Sequence, residues 1–351
     1  MSTYHKVLTR KEFPHKANME RNGGYRVAIA GTGAYVPPKR LTNRDLEKMV
    51  DTTDEWITKR TGIKERRIVE DGVASSDLAS KAAMRALKDA KVSPKDVQLI
   101  ITSTITPDSL FPSTSCYVQK HIGAKNAGAF DVLAACAGFI YALSIGENYV
   151  RAGMVDNVLV IGAETLSKVT DYTDRSTCIL FGDGAGAVLL RRAKGKHCSE
   201  VLSTHLGADG KHTDVLTLPA GGSKIPSTTK SIKERLHYIK FRGREVFKLA
   251  ITNLTKIMRK TIDSSDYTVD DFSLFILHQS NFRIIEATME RLHIPPEKTF
   301  FNIDKYGNTS SASIPIALDE VKKSGRLKPG DLVLLAAFGG GLTWSSSIIR
   351  W

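Results

Sequence analysis

The chain repeats itself. The strand-like segment VQLIITSTI, starting at Val97, is echoed by FSLFILHQS from Phe272, and NVLVIGAET from Asn157 is echoed by DLVLLAAFGGG from Asp331. The copies lie about 175 residues apart and close alike, with FGDGAGAVLLRR from Phe181 and GGGLTWSSSIIRW from Gly339. Two matching βα halves related by an internal duplication are the best single account, the alternative being similar strands arising by chance in an α/β chain. Inside the first copy, RVAIAGTG, SDLASKAAMRALKDA, VQLIITSTI, SCYVQKHIGA and AGAFDVLAA alternate strand and helix patterns, the signature of a layered α/β fold. The halves are expected at 25–195 and 196–351, joined near the polar run RRAKGKHCSE (Arg191–Glu200). Residues 1–24 are basic and polar and read as a flexible N-terminal extension; Pro219–Lys233, rich in Gly, Pro, Ser and Lys, reads as a loop.

Composition removes several classes of function. With 42% hydrophobic and 25% charged residues the balance is globular. No apolar run reaches membrane-spanning length, and the opening segment lacks a signal-peptide core, so a soluble cytoplasmic protein with no membrane contact is expected. Cys116, Cys136, Cys178 and Cys198 form no C-x-x-C pair and have no histidine at ligand spacing, which argues against zinc, and they are too few for a disulfide scaffold. The net charge of +13 favours an anionic partner. Acids interleave with the bases and no aromatic-studded basic run occurs, so nucleic acid is not expected.

The glycine motifs are equally selective. Gly31-Thr-Gly33 follows a strand, but Val36 occupies the third-glycine position and Pro37-Pro38 stand where a phosphate-binding helix must begin, so a dinucleotide site is rejected. Gly182-Asp-Gly184-Ala-Gly186 reads as a tight turn with close backbone packing. Gly339-Gly340-Gly341 suits either a ligand approach or a sharp turn.

Among the cysteines, Cys136 is the candidate nucleophile. In AFDVLAACAGFIYALSIGENYVRAG an apolar strand yields to small residues and then to an apolar helix. That places the thiol at a buried helix N-terminus, where unpaired N–H groups lower a thiol pKa. A small core residue is the plain alternative. Cys116 falls in a helix, Cys178 enters a strand and Cys198 sits in the connector. His278 ends a strand, where open α/β sheets place their chemistry, and Asn308 lies in the loop YGNTSSASIP. Taken singly, either is explained by structure alone.

Together, DVLAACAGF, HQSN and YGNTSSAS closely resemble the Cys-His-Asn triad of the thiolase-like condensing enzymes, and specifically the β-ketoacyl-acyl carrier protein synthase III family. DTTDEWITKRTGIKERR, TDRSTCILFGDGAGA, LPAGG, GREVFK and AFGGGLTW extend the resemblance over Tyr25–Trp351. It implies a thiolase-like fold, two duplicated halves in a five-layered αβαβα arrangement. It also implies an acyltransferase that starts fatty acid synthesis by condensing a short acyl-CoA with malonyl-acyl carrier protein, as a homodimer and without a cofactor. Cys136 would carry the acyl group, His278 and Asn308 would hold the malonyl thioester carbonyl, and the N–H groups of Cys136 and Gly340 would form an oxyanion hole. Trp56, Arg60, Arg175 and Asn281 match coenzyme A contacts. Lys248, Gln279, Ser280, Asn281, Phe282 and Arg283 match the carrier-docking region, and Phe111, Phe247 and Phe338 the acyl pocket. A relative with another acceptor, of quinolone, polyketide-starter or hydroxymethylglutaryl type, is the alternative. The sequence departs from the family in its first 24 residues, in Ser280 where alanine is usual, and in the long Lys-rich loop Ala220–Arg235.

Overall fold

The computed structural model describes residues 24–193 and 199–351. The N-terminal extension up to 23 and the middle of the connector, with Cys198, lie outside the described residues.

The alternating segments form two sheets. The first contains β1 (Val27–Tyr35), β2 (Leu99–Ser103), β3 (Gly128–Val132), β4 (Asn157–Thr165) and β5 (Asp183–Arg192), in the order β1-β5-β4-β2-β3. The second contains β6 (Glu200–Ala208), β7 (Phe272–Leu277), β8 (Leu332–Gly339) and β9 (Thr343–Arg350), in the order β7-β8-β9-β6. β1–β5 and β5–β4 are antiparallel while β4–β2 and β2–β3 are parallel. The second sheet repeats this pattern, with β6–β9 and β9–β8 antiparallel, β8–β7 parallel, and a parallel bridge from Phe275 to Thr299 standing where β3 stands in the first. The duplication is therefore a duplication of topology.

Helices fill three layers around these sheets. α1 (Asp54–Thr61) lies near the site entrance, α2 (Ser75–Ala90) and α3 (Thr114–Ile122) cover the outer face of the first sheet, and α4 (Gly138–Arg151) lies beneath it. After the short α5 (Arg175–Cys178), α6 (Gly243–Asp263) and α7 (Phe282–Arg291) cover the outer face of the second sheet, while α8 (Ser313–Lys323) joins α4 in the central layer. Phe139, Ile140 and Leu143 of α4 and Ile314, Leu318 and Val321 of α8 share one buried cluster with Val160 and Val188 from one sheet and Ile276 and Leu335 from the other. Each sheet thus has two covered faces, which is why β4 and β8 read as nearly continuous apolar runs instead of alternating. The layering is αβαβα.

Two glycine groups set the spacing between layers. A Cβ on Gly31 would lie 2.5 Å from the Ala86 carbonyl of α2, so the motif that failed as a phosphate loop lets a helix approach a strand. The Gly182–Gly186 run corrects the expectation of a tight turn. Asp183 onward is a buried strand, and a Cβ on Gly186 would lie 2.7 Å from the Ile316 nitrogen of α8. Cys178 is likewise the last residue of α5 and not the start of a strand. Pro219–Lys233 is irregular until Thr229, where a short helix begins.

Candidate active site

Each half places one candidate residue, Cys136 or Asn308, just before its central helix. After β3, a 3-10 turn, Ala135–Ala137, leads directly into α4; after the Asn308 loop, a second 3-10 turn, Ser310–Ala312, leads into α8. Both turns begin on a left-handed residue that is not glycine, Ala135 (φ 46°) and Ser310 (φ 47°). Such backbone costs about 1 kcal/mol or more and turns the chain sharply enough to put Cys136 at a helix N-terminus. The end of β8 closes over it: a Cβ on Gly339 would lie 2.5 Å from the Cys136 nitrogen. The Thr343 hydroxyl donates to the Ala134 carbonyl (2.8 Å) and Ser345 to that of Ala137 (3.2 Å), fixing the turn from the other half.

Cys136, His278 and Asn308 line one pocket of about 480 Å³, together with Trp56, Arg60, Phe247, Ser280, Asn281, Arg283, Phe338 and Gly339. The three residues are 8%, 3% and 7% exposed, so the pocket runs from surface groups such as Arg60 to nearly buried ones. Leu216, Phe241, Val246 and Ala250 complete an apolar wall.

Hydrogen bonds decide which atoms remain free. Ser313 Oγ lies 2.7 Å from His278 Nδ1 and accepts the Gln279 N–H at 3.3 Å. The acceptor within reach of the Ser313 proton is Nδ1, so the network assigns the ring proton to Nε2. Full burial pushes the His278 pKa down to about 3, leaving a neutral imidazole with one open donor. The Asn308 loop is held by its backbone, Asn308 N–H to the Leu180 carbonyl and Gly182 N–H to the Asn308 carbonyl, both 2.9 Å. Asn308 Oδ1 accepts the Ser310 N–H at 2.8 Å, which leaves the Nδ2 group as the open donor. Two fixed, uncharged donors and a thiol therefore share one cavity.

The thiol itself corrects the sequence expectation. Burial pushes Cys136 up to about 12, against the pull of the nearby Ser310 hydroxyl. The helix start opposes this shift without reversing it. Cys178 is pushed up to about 11 by burial, so neither buried thiol is a resting thiolate.

At the entrance, Arg175 and Arg60 approach the Trp56 ring at 4.7 and 5.2 Å. Arg175 Nη1 donates to the Asp51 carbonyl (2.8 Å). Asn281 caps α7 by accepting the Arg283 N–H (2.9 Å) and donates to the Arg60 carbonyl (3.1 Å), tying α1 to α7. Arg283 and Lys248 are exposed, as is Arg244, a pocket residue that sequence reasoning passed over inside GREVFK. Gln279 does not reach the surface. It is 1% exposed and its amide serves the Leu277 and Phe300 carbonyls and the Asn302 N–H, so it is an internal strut with nothing to offer a carrier. Phe282 stacks on Phe301 at 4.9 Å and is partly buried in the core. Gly340 lies against the Leu216 carbonyl, adjacent to the pocket residue Gly339. Phe111 is 86% exposed and stands away from the pocket of its own chain.

Comparison with known proteins gives the family. Residues 130–210 match the model described as 3-oxoacyl-[acyl-carrier-protein (ACP)] synthase III, and residues 262–351 match the model of its C-terminal part. The chain is 52% identical over 323 residues to the β-ketoacyl-[acyl-carrier-protein] synthase III of Caldanaerobacter subterraneus subsp. tengcongensis, covering 92% of this chain and 97% of that one. The chain belongs to the β-ketoacyl-[acyl-carrier-protein] synthase III family. It is an acyl-transferring condensing enzyme with the thiolase fold. The crystal structure of the synthase III from Aquifex aeolicus VF5 superposes with a TM-score of 0.85 at 48% identity, covering 93% of this chain and 100% of that one. The priming β-ketosynthase of the R1128 polyketide pathway gives 0.86 at 32% identity, covering 93% and 96%. No helix among the described residues is long and apolar enough to cross a membrane.

Proposed function

We propose that the chain makes the first carbon–carbon bond of a fatty acid in the cytoplasm, with Cys136, His278 and Asn308 as its catalytic set. One observation carries this: residues contributed by both halves, 25–195 and 196–351, line one pocket in which the imidazole N–H and the amide NH2 group are both left free to donate.

In the first step the Cys136 sulfur attacks the thioester of a short acyl-CoA. The carbon–sulfur bond to coenzyme A breaks, and the thiol proton ends on the departing sulfur. The oxyanion formed on the way accepts from the N–H groups of Cys136 and Gly340, and the positive end of α4 favours the charge on sulfur as it develops. Malonyl-acyl carrier protein then enters and loses carbon dioxide. The electron pair left behind forms an enolate whose oxygen accepts from His278 Nε2 and Asn308 Nδ2; each donor is worth about 2.7–4 kcal/mol at such a site. The enolate carbon attacks the acyl-cysteine, releasing 3-oxoacyl-carrier protein and a thiolate that takes up one proton. Acyl-CoA is a substrate, and no redox or metal group enters this balance.

Coenzyme A reaches the cysteine past Trp56. A ring sandwiched between two flat groups needs about 7 Å between them, so the Arg175 guanidinium, now 4.7 Å from the Trp56 ring, swings away to admit adenine. Arg244, Lys248 and Arg283 form an exposed basic rim suited to an acidic carrier. The homodimer forms at β3, the outermost strand of its sheet. Leu110, Phe111 and Leu133 are 81%, 86% and 79% exposed beside it, and Phe111 reaches the partner's acyl pocket from there. Intact-mass measurement after exposure to acetyl-CoA tests the first step. An acetyl adduct that is absent from Cys136→Ser is expected, with turnover on malonyl-carrier protein and not on malonyl-CoA or β-keto acids. No adduct on the parent, or turnover only with another acceptor, refutes the assignment.

A further inference from the structure

Glu164 is an acid that the reaction above does not use. It sits at the C-terminal end of β4, fully buried, and no cation pairs with it among the described residues. Its surroundings come from both halves. Oε2 faces donors of the segment after β2: the Thr106 hydroxyl at 2.8 Å, the Ile105 N–H at 3.1 Å and the Thr104 hydroxyl at 3.3 Å. Oε1 lies 2.8 Å from Ser311 Oγ, in the turn between Asn308 and α8, and the same Ser311 oxygen lies 2.9 Å from the Ser103 carbonyl.

Counting protons along that line decides the charge. Glu164 Oε1, Ser311 Oγ and the Ser103 oxygen make two oxygen–oxygen contacts of hydrogen-bond length, and each needs a proton between its atoms. Ser311 supplies one and a carbonyl supplies none. The second proton belongs to the carboxyl group. The other oxygen, Oε2, meets only donors, as the carbonyl oxygen of an acid should. We propose that Glu164 is held as the uncharged acid and acts as a positioning residue, its proton tying the Asn308 turn to the half that carries Cys136.

Two consequences follow for the site. The chain Glu164–Ser311–Ser103 fixes the turn whose Ser310 N–H orients the Asn308 amide. A neutral group beside the nucleophile also removes the repulsion that a carboxylate would exert on a developing sulfur anion. Burial raises the Glu164 pKa, in the same direction. The groups facing it are Thr104, Ile105 and Thr106 after β2 and Ser310 and Ser311 before α8, all uncharged, and Cys136 is the titratable neighbour whose pKa a carboxylate there would raise.

The positioning role rests on the assignment of Asn308, but the protonation state is measurable without turnover. The infrared difference spectrum between the full-length parent and Glu164→Gln at neutral pH is expected to show loss of a carboxylic-acid carbonyl stretch. The pH profile of Cys136 alkylation is expected to coincide in the two proteins. Loss of carboxylate bands instead, or a profile moved down by about one unit or more as removal of a nearby charge produces, overturns the proposal. In the carrier assay Glu164→Ala is expected to lose about tenfold to a hundredfold in malonyl decarboxylation. Glu164→Gln, which keeps a donor toward Ser311, recovers most of it. A glutamine variant as impaired as alanine overturns the positioning role, and the spectra still decide the charge if the alanine variant fails to fold. Should the enzyme use another acceptor, the spectra and the alkylation profile would be unchanged, so the two readings fail separately.

Discussion

Gly339→Ala probes how closely the halves must meet. Gly339 ends β8 in the second half, and the new Cβ would stand 2.5 Å from the Cys136 nitrogen, 3.1 Å from the Ala137 nitrogen and 3.2 Å from the Ala135 Cβ. Normal contact is about 3.5 Å, so the Cys136 turn and the strand end must part by about 1 Å. The turn already sits in left-handed backbone at Ala135 and is tied to β9 through Thr343 and Ser345, so it has little freedom to yield. A displacement of that size at a reacting atom costs about a hundredfold in rate. The β8 core is untouched, and the variant should remain folded. Acylation followed by intact mass at timed intervals after mixing with acetyl-CoA is expected to slow by about that factor. Gly162→Ala is the matching probe from the first half: its Cβ would strike the Ser311 carbonyl, beyond Asn308. There, release of carbon dioxide from malonyl-carrier protein should fall while acylation is largely spared. If Gly339→Ala acylates at the parent rate, or if both variants slow both steps equally, the notion of two separately fixed turns is wrong.

Three further outcomes are expected. His278→Ala and Asn308→Ala should each lose about a hundredfold to a thousandfold in decarboxylation yet still take an acetyl group from acetyl-CoA, measured as label retained on Cys136. With the thiol pushed up to about 12, alkylation of Cys136 by iodoacetamide should rise about tenfold per pH unit from pH 7 to 9 with no plateau; a plateau near neutrality would restore the depressed thiol read from the sequence. An unfolded histidine protonates near pH 6.5, whereas folded His278 stays neutral to about 3. The unfolded state therefore binds more protons between these values, and stability present above pH 6.5 is lost as pH falls toward 3. His278→Asn should flatten that limb in denaturant titrations.

The sequence carried the fold because the fold is periodic. Strands covered on both faces must be apolar throughout, and VQLIITSTI, NVLVIGAET and their later copies could not be mistaken for surface. It carried the positions of Cys136 and Asn308 for a related reason, since each stands where a strand or loop gives way to a central helix, a boundary that small and turn-forming residues mark; His278 was legible because it directly follows an apolar strand. Side-chain direction and enclosure were not legible. Gln279 stands between His278 and Ser280 in HQSN, and only its burial and its amide contacts with Leu277, Phe300 and Asn302 show that it turns inward. The Gly182–Gly186 run looked like a turn because glycine marks both turns and close approaches, and the helix that approaches it lies about 130 residues later. The thiol was expected to be acidic from its own helix, but the walls that bury it come from both halves.

The same division explains why the chemistry lies at the seam. A single half offers one turn into a helix and can present one kind of group there, a nucleophile or a donor. Condensation needs both within one cavity, because the enolate must form on one substrate while the acyl group waits on the other. Duplication places two such turns face to face around the central layer, each pinned by the opposite half: Gly339, Thr343 and Ser345 hold the Cys136 turn, and Leu180, Gly182 and Glu164 hold the Asn308 loop. The pins are reciprocal, so loosening either half should disturb the reactive group of the other more than its own. That asymmetry separates a shared site from two sites that merely lie close together.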